Sequence, residues 1–169
     1  MRISDEKLRQ DRLVFYEQDV DRFDGELDGF LEFANARCAI LIDREGHLVT
    51  RRGDASGSNM EALSALVAGT FAATREVAAI LGEGAFNTLS HQGAHQSIQV
   101  SCVGERTLLA VVWDERSNLG LVRFYAQETT KRLETIFEEI ADRPADQNQG
   151  IQLSDDYGDE AAAVLDDLF

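Results

Sequence analysis

The stretch SIQVSCVGERTLLAVVW, Ser97 to Trp113, decides how this chain folds. Its first half alternates, with Ile98, Val100 and Cys102 on one side and Ser97, Gln99 and Ser101 on the other, the period of a strand with one wet face. Its second half, Thr107 to Trp113, is almost wholly apolar and belongs at the centre of a sheet. Between them Gly104-Glu105 predicts a tight two-residue hairpin with Gly first. The two strands therefore run antiparallel.

Working outward, Phe86 to His91 reads as another strand just upstream. Nearer the N-terminus, Cys38-Ala39-Ile40-Leu41-Ile42 is a strand signal, followed by the turn Asp43-Arg44-Glu45-Gly46 and a second strand, His47 to Arg52. Gly46 supplies the positive φ that such a turn favours. Three helical patterns complete the chain. Residues 5–35 carry Leu13, Tyr16, Val20, Phe23, Leu27, Phe30 and Ala34 at spacings of three and four. Ser4 is the expected N-cap, Asp5 and Glu6 fill the first turn, and Gly25 and Gly29 weaken the helix. Leu119 to Ala141 places Val122, Ala126, Thr130, Leu133, Phe137 and Ile140 on one side and is closed by Pro144, the single proline. The order αββαβββα gives an α+β fold, a five-stranded antiparallel sheet with packed helices.

The remaining helix, Asn59 to Leu81, is the clearest. Leu63, Leu66, Val67, Thr70, Thr74, Val77, Ala78 and Leu81 make one expected face. The other holds Ala65, Gly69, Ala72, Ala73, Glu76 and Ile80. A helix normally turns charge to solvent, whereas this one turns Ala and Gly. Small residues let a second backbone approach closely, so Ala65, Ala68, Gly69, Ala72, Ala73 and Glu76 are the candidate docking residues. A helix buried on both sides within its own domain is the alternative.

Sixteen Lys and Arg against 31 Asp and Glu give a net charge of -15. That balance disfavours nucleic acid and anionic membranes and suits a basic protein surface as partner, or simply a well-solvated exterior. Residues 141–169 hold eight acidic residues and one basic, with an apolar patch at helical spacing near the end: Val164, Leu165, Leu168 and Phe169. No signal peptide and no apolar run near 18 residues is visible, so a soluble, cytoplasmic chain is expected. Cys38 and Cys102 sit in strands and are expected as reduced thiols.

Chemical motifs are sparse. No phosphate loop and no dinucleotide fingerprint is present, and Gly82 and Gly84 end a helix. His91 and His95 are four apart, but Gly93 intervenes and no Cys or carboxylate joins them, so no metal site is assigned. Asp155-Asp156 lacks calcium-loop spacing. Cys102 has no base nearby in the sequence. An arginine supplied in trans can stabilise phosphoryl transfer, but Arg44, Arg51, Arg52, Arg106 and Arg116 all lie near turns and none is singled out. No catalytic residue and no cofactor is assigned.

The run Ala65-Leu66-Val67-Ala68-Gly69-Thr70-Phe71-Ala72-Ala73-Thr74-Arg75-Glu76, then Leu81-Gly82-Glu83 and Phe86, resembles the second-helix signature of bacterial Roadblock proteins. His91-Gln92-Gly93-Ala94-His95-Gln96-Ser97-Ile98, Val103-Gly104-Glu105-Arg106 and Ser117-Asn118-Leu119-Gly120-Leu121-Val122-Arg123 are similar to later segments of that family, in order. The resemblance runs from about Tyr16 to Ile140, and Asp166-Asp167-Leu168-Phe169 is similar to the tail of its gliding-motility branch. It implies a Roadblock/profilin-like domain over 16–143 and an acidic tail over 144–169 ending in a short apolar helix; residues 1–15 are a charged extension with no counterpart in that resemblance. It also implies a homodimer in which sheets join edge to edge and helices pack together, forming a platform for a Ras-like small GTPase of the MglA type. Regulators of this branch act by GTPase activation without an arginine of their own, in cell polarity and motility, and use the tail as a second contact. Other relatives are non-catalytic adaptors, so an adaptor stays open as the alternative. A small-ligand sensor of similar layering is the third possibility, disfavoured by the lack of convergent polar residues on the strands.

Overall fold

The computed structural model describes residues 15–144. In chain order its elements are α1 (Glu17–Ala34), β1 (Cys38–Asp43), β2 (Leu48–Gly53), α2 (Met60–Leu81), β3 (Thr88–Gln92), β4 (Ser97–Val103), β5 (Thr107–Trp113) and α3 (Leu119–Ala141). The strands form one antiparallel sheet in the order β2-β1-β5-β4-β3. The α+β class and the αββαβββα order are those the sequence predicts.

Three layers follow from strand periodicity. On β1, Ala39 and Leu41 point to one side and join Phe23, Leu27, Phe30, Leu109, Val111, Val122 and Leu133 in a core under α1 and α3. Ile40 and Ile42 point to the other side and join Val67, Phe71, Val100, Leu108 and Ala110 under α2. A strand buried on both faces must read as a continuous apolar run, which is why β1 and β5 do.

Differences from the sequence reading are local and have physical causes. The first helix begins at Glu17, where the Tyr16 N–H donates to Asp19 Oδ2 at 2.9 Å. Ser4 and Leu13 lie outside the described residues. Asp19 is fully buried because Arg143 donates to both its oxygens, Nη2 to Oδ1 at 2.6 Å and Nη1 to Oδ2 at 3.2 Å. The rings of Phe15, Phe23 and Phe137 pack beside this pair, with Phe23 and Phe137 centroids 4.8 Å apart. The hairpin between β4 and β5 is not a two-residue turn. Val103 pairs with Thr107, so Gly104, Glu105 and Arg106 all belong to the loop. β3 starts at Thr88 rather than Phe86 and β2 at Leu48 rather than His47. The polar side of β4, expected to be wet, is covered: Gln99 and Ser101 are buried beneath α3.

Candidate docking surface

α2 is fixed at both ends. Asn59 Oδ1 accepts the Ala62 N–H at 3.1 Å, and Gly82, at φ +74°, ends the helix while its N–H donates to Ala79 O. Met60, Ser64, Val67, Ala68, Phe71 and Ala78 are the buried side. Ser64 tolerates burial because its hydroxyl donates to Met60 O at 2.7 Å. The β1–β2 turn passes so close beneath that a Cβ on Gly46 would stand 2.9 Å from Ala65 Cα. Gly46, at φ +94°, is thus required twice, by its backbone and by the helix above it.

The buried side differs from the one read in the sequence. Leu66, Thr70, Val77 and Leu81, expected on the core face, are exposed, whereas Ala68, named among the docking residues, is 6% exposed and packs on its own sheet. Ala65, Gly69, Ala72, Ala73 and Glu76 are exposed. The helix is apolar nearly all round, so a three-four period alone fits more than one face. Phe71, the largest residue of the helix, marks the true core direction. The open face is consequently far more apolar than Ala and Gly alone make it. Leu66 is 70% exposed and Ile80 85%, at the two ends of a ridge that also includes Gly69, Thr70, Ala73 and Val77. Contiguous apolar patches on a protein surface commonly serve as interaction sites. The open ridge also excludes a helix enclosed within its own domain.

The expected absence of an uninterrupted apolar run near 18 residues concerns the same helix, whose run is broken by Glu61, Arg75 and Glu76. Met60–Leu81 is long and apolar enough to span a bilayer by length and composition. Its Phe71 side packs on the sheet, so this composition serves one internal and one external apolar contact. Val164, Leu165, Leu168 and Phe169 lie outside the described residues.

The remaining candidates are scattered. His91 is the penultimate residue of β3 and His95 lies in the following turn, both exposed. At the β1–β2 turn, Asp43, Glu45 and His47 place donor atoms within 4.8 Å of one another, a group the sequence reading did not single out. There Asp43 accepts from the His47 backbone at 2.8 Å and lies 3.0 Å from its Nδ1, which makes the group a turn lock. Burial pushes the thiols of Cys38 and Cys102 up, which keeps them protonated near neutral pH. Arg52 grips Asp28 through two hydrogen bonds of 2.8 and 2.9 Å, and Arg116 is held by Asp114. Both arginines are therefore committed to their own domain. A second exposed patch occupies the side opposite α2, where Phe33 stacks on Tyr125 with centroids 5.6 Å apart and Phe124 meets Tyr125 edge-on at 5.1 Å.

Comparison with known proteins agrees with this architecture. The Roadblock/LC7 domain profile matches residues 24–112. The chain belongs to the Roadblock/LC7 family. Among solved structures this Roadblock chain is similar to Myxococcus xanthus MglB, with 33% identity and a TM-score of 0.72 over 78% of this chain and 98% of that one. It is similar to the gliding protein MglB from Thermus thermophilus, with 35% identity and a TM-score of 0.70 over 75% and 96%. It is also similar to an MglB with tetrameric arrangement, at 34% identity and a TM-score of 0.71 over 76% and 96%. Acanthamoeba castellanii profilin IB, 13% identical with a TM-score of 0.51 over 67% and 97%, shares the fold alone. No protein with a curated description matches the sequence.

Proposed function

We propose that this Roadblock protein is a homodimeric regulator, of the GTPase-activating type, of a Ras-like MglA-type small GTPase in cell polarity or motility. It works in the cytoplasm, at a cell pole, without an active site of its own. The observation that carries the reading is the open face of α2, from Leu66 to Ile80. A protein that leaves so apolar a ridge in water needs a second surface to cover it; the tetrameric arrangement of one MglB relative supports a second copy as one occupant, and the family resemblance implies the GTPase as the other. Ala65, Gly69, Ala72 and Ala73 keep the approach close, while Glu76 offers one charge at the rim. Activation then proceeds by reshaping the GTPase so that its own catalytic residues align, which fits Arg52 and Arg116 being held by Asp28 and Asp114. The segment bearing Val164, Leu165, Leu168 and Phe169 provides the second contact, an apolar helix in a groove.

Multiple-turnover GTP hydrolysis by an MglA-type GTPase, with and without this protein, tests the reading. Acceleration that disappears with Ala72→Arg supports it. No acceleration, with binding retained, favours a non-catalytic adaptor. That second reading is favoured by the Phe33, Phe124 and Tyr125 patch, since a scaffold needs two faces.

A further inference from the structure

Phe15, the first described residue, is fixed by two ring contacts, to Phe23 at 5.4 Å and to Phe137 at 5.6 Å between centroids. Phe137, itself nearly buried, also lines a surface groove of about 510 Å³ where the last turns of α3 face the β4–β5 loop. One wall carries Glu134, Glu138 and Ala141, and the other carries Gly104, Glu105 and Arg106. Glu134 accepts the Gly104 N–H at 3.2 Å, and Arg106 is engaged. Glu105 and Glu138 are exposed, and no ion pair among the described residues engages either. The groove is therefore acidic, and it opens beside the point where residue 14 joins Phe15.

We propose that residues 8–14 of the same chain occupy this groove and clasp the β4–β5 loop to the end of α3. Val14 is bonded to Phe15, whose ring rests on Phe137, so the segment starts at the groove itself. Such a tether gives an effective concentration on the order of millimolar, enough for weak contacts to hold. Reach is ample. Glu134 to Ala141 spans about 10.5 Å along α3, a length that about three extended residues cover. Charge selects this end of the chain over the other. Residues 1–14 hold Arg2, Lys7, Arg9 and Arg12 against Asp5, Glu6 and Asp11, whereas residues 145–169 hold seven acids and no Lys or Arg. The C-terminal segment also starts close by, past Arg143, but an acidic groove repels it. Arg9 and Arg12 supply the cations that Glu105 and Glu138 lack, and Leu13 and Val14 supply apolar surface for Ala141 and the edge of Phe137. The groove lies on the α3 side of the sheet, away from α2, so the clasp leaves the apolar ridge open.

The test is limited trypsin digestion of the native full chain, with mass spectrometry timing the cuts after Arg9 and Arg12. A docked segment is cut slowly, because cleavage requires it to leave the groove. Glu105→Gln/Glu138→Gln, altered only at exposed positions, should speed both cuts about fivefold. Leu13→Ser should speed the cut after Arg9 to a similar degree. Glu61→Gln/Glu83→Gln, which removes two exposed acids from α2 and its C-terminal edge, should leave both rates as they are. In ¹⁵N NMR spectra of the full chain, Arg9→Glu/Arg12→Glu should move the amides of Gly104, Glu105 and Ala141. Unchanged cutting of the groove variant, equal acceleration in the α2 control, or unmoved groove amides would each overturn the proposal. Protection that is lost on dilution would overturn it too, by seating the segment on a second copy.

Discussion

Arg143, just past the end of α3, reaches Asp19 in the first turn of α1 and donates to both carboxylate oxygens, at 2.6 and 3.2 Å. The carboxylate is fully buried, and Arg143 also lies over the Tyr16 ring at 5.3 Å from its centroid. Removing one partner strands the other, so Arg143→Met or Asp19→Ala should lower unfolding free energy by about 3 kcal/mol in urea titrations. The double variant Asp19→Leu/Arg143→Met should recover most of that loss.

The same pair sets an acid response. Burial alone would raise the Asp19 pKa, but the hydrogen bonds from Arg143 and the Tyr16 backbone outweigh it and hold the group below the ordinary Asp value. Its stabilisation is complete above the unfolded-state pKa, about 4, and fades as pH falls through the lower folded-state value. Stability measured from pH 6 down to 2 should therefore fall more steeply in the wild type than in Asp19→Asn.

Two glycines should respond in opposite directions. Gly53, at φ +93°, ends β2 where a Cβ would stand 2.3 Å from Arg37 O, so Gly53→Ala should cost about 2–4 kcal/mol. Around Gly29 a Cβ meets nothing within 4 Å, and Gly29→Ala should stabilise α1 by about 0.5–1 kcal/mol. Thermal unfolding of the two variants distinguishes them at once.

On α2 the two faces separate stability from association. Phe71→Ala should cost about 3–5 kcal/mol through a core cavity. Ile80→Ser should change stability by less than about 0.5 kcal/mol while weakening self-association. Ala72→Arg should leave the fold intact and abolish dimerisation or GTPase binding. Light scattering coupled to gel filtration reads the mass, and circular dichroism reads the fold.

Deleting residues 150–169 should weaken GTPase association and leave the dimer alone. Sedimentation analysis of the truncated chain, alone and mixed with an MglA-type GTPase, checks both halves. A dimer lost on truncation would reassign the segment to self-association.

Strand positions were legible because β1 and β5 are buried on both sides and β4 alternates, patterns with few structural equivalents. The face of α2 was not. Leu66 and Val67 are adjacent and equally apolar, and only the sheet decides that Val67 goes inward while Leu66 meets solvent. Asp19 was hidden among the acids of α1, since nothing local announces that Arg143, remote in sequence, will bury it. Gln99 and Ser101 looked wet for the same reason, because the covering helix follows later in the chain. That Gly69, Ala72 and Ala73 stay exposed was recognisable, but the exposure of the large aliphatics beside them was not.

The sheet order carries a consequence for synthesis. β1 cannot complete its pairing until β5 exists, because Cys38 lies opposite Val112 across the centre of the sheet. α2 therefore leaves the ribosome before β4 and β5, which supply Val100, Leu108 and Ala110 to the core beneath it. Such delayed, non-local pairing slows folding and exposes the nascent chain to aggregation, so chaperone attendance should be greatest between the emergence of Leu81 and that of Trp113.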